Sequence, residues 1–84
     1  MMDLFKRRRP RARQAVEIQE KRFGYFPKVF RWRGKRYDVQ AVERCWSARR
    51  HAPQLCFRVR CREGLFDLYQ NVQDNTWRLV PGRA

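Results

Sequence analysis

The chain has 84 residues and a formal net charge of +13, from 21 Lys and Arg against 8 Asp and Glu. That length holds one domain, and so much charge on a small body opposes folding by self-repulsion until a polyanion relieves it. No apolar run is long enough to cross a membrane as a helix, and no apolar stretch follows the basic start as in a secretory signal, so cytoplasmic residence is expected.

Seventeen of the 21 cations are Arg, whose planar fork suits phosphate and whose flat face stacks on rings. Six Phe, three Trp and three Tyr can fill a compact core. With β-branched residues plentiful in the middle of the chain, they favour strands over a helical bundle. Three Cys are an odd number, which argues against a closed disulfide framework and agrees with a reducing compartment.

Residues 1–13 are a basic tail. Lys6, Arg7, Arg8, Arg9, Arg11 and Arg13 stand against Asp3 alone, and like charges this dense predict disorder in the free chain. Val16 and Ile18 then alternate as in a short strand, although Ala15, Ile18 and Arg22 also fit a helical turn. Gly24 and Pro27 are read as a break. From Val29, Phe30 and Trp32 alternate with Arg31 and Arg33. Gly34-Lys35 turns the chain, and Tyr37 and Val39 alternate with Arg36, Asp38 and Gln40, which predicts a hairpin. Val42 and Trp46 fall out of that phase. A bulge near Gln40–Ala41 or a short helix over Val42–Trp46 would each account for it.

Ser47, Arg49, Arg50, His51 and Pro53 read as an exposed basic loop. Leu55, Phe57, Val59 and Cys61 alternate with Cys56, Arg58, Arg60 and Arg62, the cleanest strand pattern in the chain. Glu63-Gly64 turns it, Phe66, Leu68 and Val72 face inward in the next strand, and Asp74-Asn75 turns again. Trp77 and Leu79 begin the last strand, which ends at Pro81-Gly82. The prediction is a mostly β domain over 14–82, about five short strands in a small antiparallel sheet or barrel-like fold, behind the disordered basic tail.

Side chains alternate between the faces of a strand. Apolar residues pointing inward therefore turn Arg31, Arg33, Arg36, Arg58, Arg60 and Arg62 outward, with Tyr69 on the same phase as a ring for stacking. Lys6 to Arg9 would add phosphate affinity whatever the sequence contacted. Nucleic acid is the expected partner on this reading. A solvated polar face is the plain alternative. An acidic protein, with Phe5, Phe23, Tyr25 and Phe26 as apolar anchors, and an anionic lipid surface are the other partners this charge admits.

Catalysis is not expected. Cys45, His51, Cys56 and Cys61 do not have the spacing of a zinc knuckle or a C-x-x-C pair. Cys61 and Cys45 are instead read as small core residues, with Cys56 partly exposed. The acidic residues Glu17, Glu20, Asp38, Glu43 and Asp67 are scattered and suit pairing with Arg. No nucleophile stands at a recognisable spacing from His51, and no Gly-rich phosphate loop is present, so neither metal nor cofactor is expected. Trp32, Trp46 and Trp77 read as core.

The stretch Phe30-Arg31-Trp32-Arg33-Gly34-Lys35-Arg36-Tyr37-Asp38-Val39, with Val42 and Trp46 after it, resembles a family of small uncharacterised bacterial domains. Their pattern is F-x-W-R-G-[RK]-x-Y-x-V. Phe57-Arg58-Val59, Phe66-Asp67-Leu68-Tyr69 and Trp77-Arg78-Leu79 resemble the closing strands of that family, so the resemblance spans about residues 15–80. It lends no catalytic residue. Members associated with error-prone DNA polymerase components imply a link to DNA repair or translesion synthesis. The basic tail and the Cys-bearing middle segment depart from the pattern.

Overall fold

The computed structural model describes residues 13–49 and 52–81. Lys6, Arg7, Arg8 and Arg9, the other tail residues up to 12, and Arg50 and His51 lie outside the described residues, whereas Arg13, expected in the disordered tail, is held against the sheet by Gln54 and Tyr69. Every element described is a strand: β1 (Gln14–Ala15), β2 (Glu17–Arg22), β3 (Phe26–Trp32), β4 (Lys35–Arg49), β5 (Pro53–Cys61), β6 (Gly64–Asn71) and β7 (Thr76–Pro81). They form one antiparallel sheet in the order β1-β7-β6-β5-β4-β3-β2. From β2 to β7 each strand therefore pairs with its successor, as short turns demand.

The sheet curls because β1 and β2 are separated by Val16 alone yet lie at opposite ends of that order. The result is a half-barrel whose two edges share the N-terminal segment. The Val16 N–H donates to the Trp77 carbonyl at 3.3 Å. Gln14 Oε1 accepts from Trp32 Nε1 at 3.3 Å and from Arg33 Nε at 3.2 Å, tying β1 to the β3–β4 turn. The segment that admitted either strand or helix is thus strand, held by pairing at both edges.

Three expectations about the elements need correction. Seven strands replace about five. Pro27 lies inside β3 instead of breaking the chain. It faces Lys21 of β2, and pairing to β4 begins only at Val29, so the missing Pro N–H costs no ladder bond to β4. The expected basic loop over 47–53 is largely strand: β4 continues to Arg49, paired with Pro53 at the start of β5. β4 takes no helical turn over Val42–Trp46. It pairs with β3 up to Asp38 and with β5 from Val39, and the register slips between Val39 and Ala41 and again between Val42 and Arg44. The bulge reading of the phase change is correct, doubled: Gln40 and Glu43 are each an extra residue, and bulges bend a strand sharply enough to pass between two halves of a curled sheet.

The core lies on the concave side. Phe30, Tyr37, Phe57, Val59, Cys61, Phe66, Leu68, Trp77 and Leu79 are buried together. Phe30 stacks on Tyr37 with centroids 5.0 Å apart, and Phe66 meets both edge-on at 5.7 and 5.2 Å. Such ring pairs add to the burial of their area. Val72, expected inside, is half exposed in the β6–β7 turn. The cysteine assignment is partly reversed: Cys61 is in the core as expected, but Cys56 is fully buried and Cys45 exposed. Cys56 points to the convex side, where Trp46 and Tyr69 are its direct cross-strand neighbours. Burial pushes both thiols up, that of Cys61 to about 12.

Candidate nucleic-acid interface

Directly paired residues of an antiparallel sheet share a face, so the register defines the convex surface row by row. One row runs Arg44, Arg58, Asp67, Val80. The next runs Trp46, Cys56, Tyr69, Arg78 and ends on Ala15 of β1. A third runs Ala48, Gln54, Asn71, Thr76. The face carries guanidinium groups, two rings and two carboxamides over four strands.

Guanidiniums and rings are interleaved. Arg13 lies over the Tyr69 ring at 3.9 Å and donates from Nη1 to Gln54 Oε1 at 3.2 Å. Arg44 and Arg58 lie over Trp46 at 4.8 and 5.9 Å. Cation–π attraction of this kind holds each guanidinium near a ring. Arg58 also makes two parallel bonds to Asp67, Nε to Oδ1 at 2.8 Å and Nη2 to Oδ2 at 2.9 Å. This bidentate pair raises the Arg58 pKa further. Arg60 pairs with Glu43 through Nε at 2.9 Å. The Tyr69 hydroxyl is pushed up by burial first and by the Asp67 carboxylate second, so it stays a protonated donor at neutral pH. Beside it a groove of about 470 Å³ is lined by Arg13, Gln54, Tyr69, Asn71, Thr76 and Arg78 and by one carboxylate, Asp74.

The Arg residues expected on one surface divide into groups. Arg58 and Arg60 lie with Tyr69 on the convex face of the β4–β7 part of the sheet. Arg31 and Arg36 are direct partners on β3 and the first half of β4, before the bulged corner, with Glu17 beside Arg31 and Asp38 bonded to Arg36. Arg33 and Arg62 are not on strand faces. Arg33 is in the β3–β4 turn at φ +53°, folded over Trp32 at 4.8 Å and bonded to Gln14, and Arg62 is in the β5–β6 turn. The alternation rule placed both one residue too far along their strands, because the turns begin there.

Sequence reading missed Arg13, Arg44, Trp46, Gln54, Asn71 and Arg78 as members of the convex face. Arg78 was legible, since Trp77 and Leu79 on either side point inward. Trp46 was read as core because the second bulge, at Glu43, left no trace in the alternation. Trp32 packs against the core and Trp77 belongs to it, whereas Trp46 lies on the convex side.

Among the described residues no three His, Cys, Asp or Glu side chains gather where a metal ion would bind, and no helix is long and apolar enough to cross a membrane. The fold and this face define a small, basic, antiparallel β half-barrel with an arginine–aromatic surface. No protein-family model, curated protein or solved structure matches the chain.

Proposed function

We propose that the protein is a non-catalytic nucleic-acid-binding module that engages its polymer on the convex face of β4, β5, β6 and β7. The supporting observation is the interleaving of Arg13, Arg44, Arg58 and Arg78 with the Trp46 and Tyr69 rings across directly paired strands. Guanidiniums follow a phosphate backbone and rings accept bases without demanding a sequence, so binding is weakly sequence-specific. The tail residues Lys6 to Arg9 add cations that act by counterion release. The resemblance noted in the sequence supports a link of this binding to DNA repair or translesion synthesis.

Five cations serve the face: Arg13, Arg44, Arg58, Arg60 and Arg78. Two are engaged by carboxylates, Arg58 by Asp67 and Arg60 by Glu43. Three to five phosphate contacts correspond to a log–log salt slope of roughly −2.7 to −4.5 on duplex DNA. The test is fluorescence anisotropy with labelled single- and double-stranded DNA and RNA across a salt series, on the protein and on Arg44→Glu/Arg78→Glu. The expected result is a slope in that range, with binding lost in a variant that keeps its circular dichroism spectrum. Absence of binding at physiological salt would overturn the proposal and favour an acidic protein as partner.

A further inference from the structure

Three non-glycine residues among those described adopt positive φ: Phe23 at +59°, Arg33 at +53° and Asn75 at +60°. Two of them are explained where they stand. Asn tolerates the left-handed region, and Asn75 is in the β6–β7 turn beside the Asp74–Thr76 hydrogen bonds. Arg33 uses the conformation to reach Gln14 and to cover Trp32.

Phe23 has neither justification. It shares the β2–β3 turn with Gly24 at φ +68°, and the turn is closed by the Tyr25 N–H donating to the Arg22 carbonyl at 3.1 Å. A turn with both central residues left-handed selects Asn, Asp or Gly, not a bulky aromatic. The ring gains little from being there, since Phe23 is 85% exposed. A side chain that strains the backbone and contributes almost nothing to the core is placed for something outside the fold.

The surroundings indicate what that is. Tyr25, 42% exposed, is braced edge-on by Phe26 at 4.8 Å and Phe57 at 5.7 Å, so the hairpin tip is fixed to the core. Arg22 and Lys28 line the cleft beside Phe23, with one carboxylate, Glu20, 3.9 Å from the Lys28 ammonium, whereas Lys21 turns away to lie 5.7 Å from the centre of the Trp77 ring. An exposed ring on a rigid hairpin within a cationic rim matches unpaired bases, which offer a ring face next to phosphates.

We propose that Phe23 is an aromatic wedge that stacks on an unpaired base, so that the β2–β3 tip selects single-stranded over duplex nucleic acid. This rests on the nucleic-acid reading above and adds a second contact region and a strand preference to it. The occupant is a single-stranded polynucleotide, with the bases on Phe23 and the phosphates on Arg22 and Lys28.

The test compares the full chain with Phe23→Asn, Phe23→Tyr and Phe23→Trp, using a labelled oligothymidylate and a duplex of equal length. Phe23→Asn is the main variant because Asn accepts the turn. The expected result is roughly tenfold weaker single-strand binding in Phe23→Asn, equivalent to about 1.4 kcal/mol, with duplex affinity and salt slope unchanged and single-strand affinity retained in Tyr and Trp. A strand carrying 2-aminopurine should be quenched by the native protein and less so by Phe23→Asn. If the native chain binds both polymers and Phe23→Asn binds the single strand equally well, the wedge is refuted and the convex face stands. If the native chain binds neither polymer, both proposals fall. Loss of a pulled-down acidic protein in Phe23→Asn, without change on either polymer, would reassign the tip to a protein partner.

Discussion

Replacing Phe23 by Asn should stabilise the fold even as it weakens single-strand binding. An L-residue with a full side chain at left-handed φ costs roughly 1–2 kcal/mol relative to its ordinary region, and Asn recovers part of that by bonding locally. Against this stands the little burial Phe23 has at 85% exposure. Full burial of a Phe contributes about 1.5–3 kcal/mol, so the covered remainder accounts for roughly 0.2–0.5 kcal/mol. The net gain is about 0.5–1.5 kcal/mol. For a domain of this size each kcal/mol moves Tm by about 4–8 °C, so Tm should rise by several degrees. Thermal melts followed by far-UV circular dichroism, checked for reversibility, read this directly. An unchanged or lower Tm would refute the strain reasoning, because it would mean that Phe23 is held by packing and needs no functional explanation. A higher Tm joined to weaker binding is the trade expected when strain is kept for function.

Asp67→Asn should free Arg58 from its bidentate partner and steepen the duplex salt slope by up to about 0.9, as one more phosphate contact becomes free to form; an unchanged slope would place Arg58 outside the interface. Alkaline pH should unfold the domain through Cys61. Its folded pKa is raised from 9.0 to about 12, so the stabilisation is complete below pH 9 and declines as pH climbs toward 12. The unfolded thiol ionises first while the folded one keeps its proton, at about 1.4 kcal/mol per pH unit at most. Urea titrations from pH 8 upward should therefore fall less steeply in Cys61→Ala than in the native chain, and parallel curves would contradict this. Leu68 is fully buried at the centre of the core, and Leu68→Ala should cost about 2–5 kcal/mol in the same titrations; a smaller loss would mean that the cavity collapses.

Much of the fold was legible because the strand period is short and the chain obeys it. Leu55 to Cys61 alternates without interruption, and in the structure Phe57, Val59 and Cys61 are buried while Arg58 and Arg60 face outward. The β3–β4 hairpin was equally clear, since Gly34 takes φ +75° between two alternating runs. Legibility stopped at the β4 corner. Periodicity detects a phase change but not the number of extra residues that cause it, so the second bulge and the convex placement of Trp46 went unread. It also stopped at residue 16, where no local pattern tells one long strand from a segment that pairs with two distant edges.

For the candidate site the sequence determined the chemistry: a large excess of Arg, alternation that turns Arg58, Arg60 and Tyr69 away from the core, and an odd set of thiols with no ligand spacing. Tertiary structure alone decided which of those groups meet. It seated Arg13 on Tyr69 and Arg44 on Trp46, matched Arg58 to Asp67 and Arg60 to Glu43, drew Arg33 into the turn, and buried Cys56 on the convex side. The physical reason is that side-chain direction along a strand is local, with a period of two, whereas cross-strand neighbours depend on register. Here register depends on two bulges and on an N-terminal segment that closes the sheet, and all three are settled by packing among residues far apart in the chain.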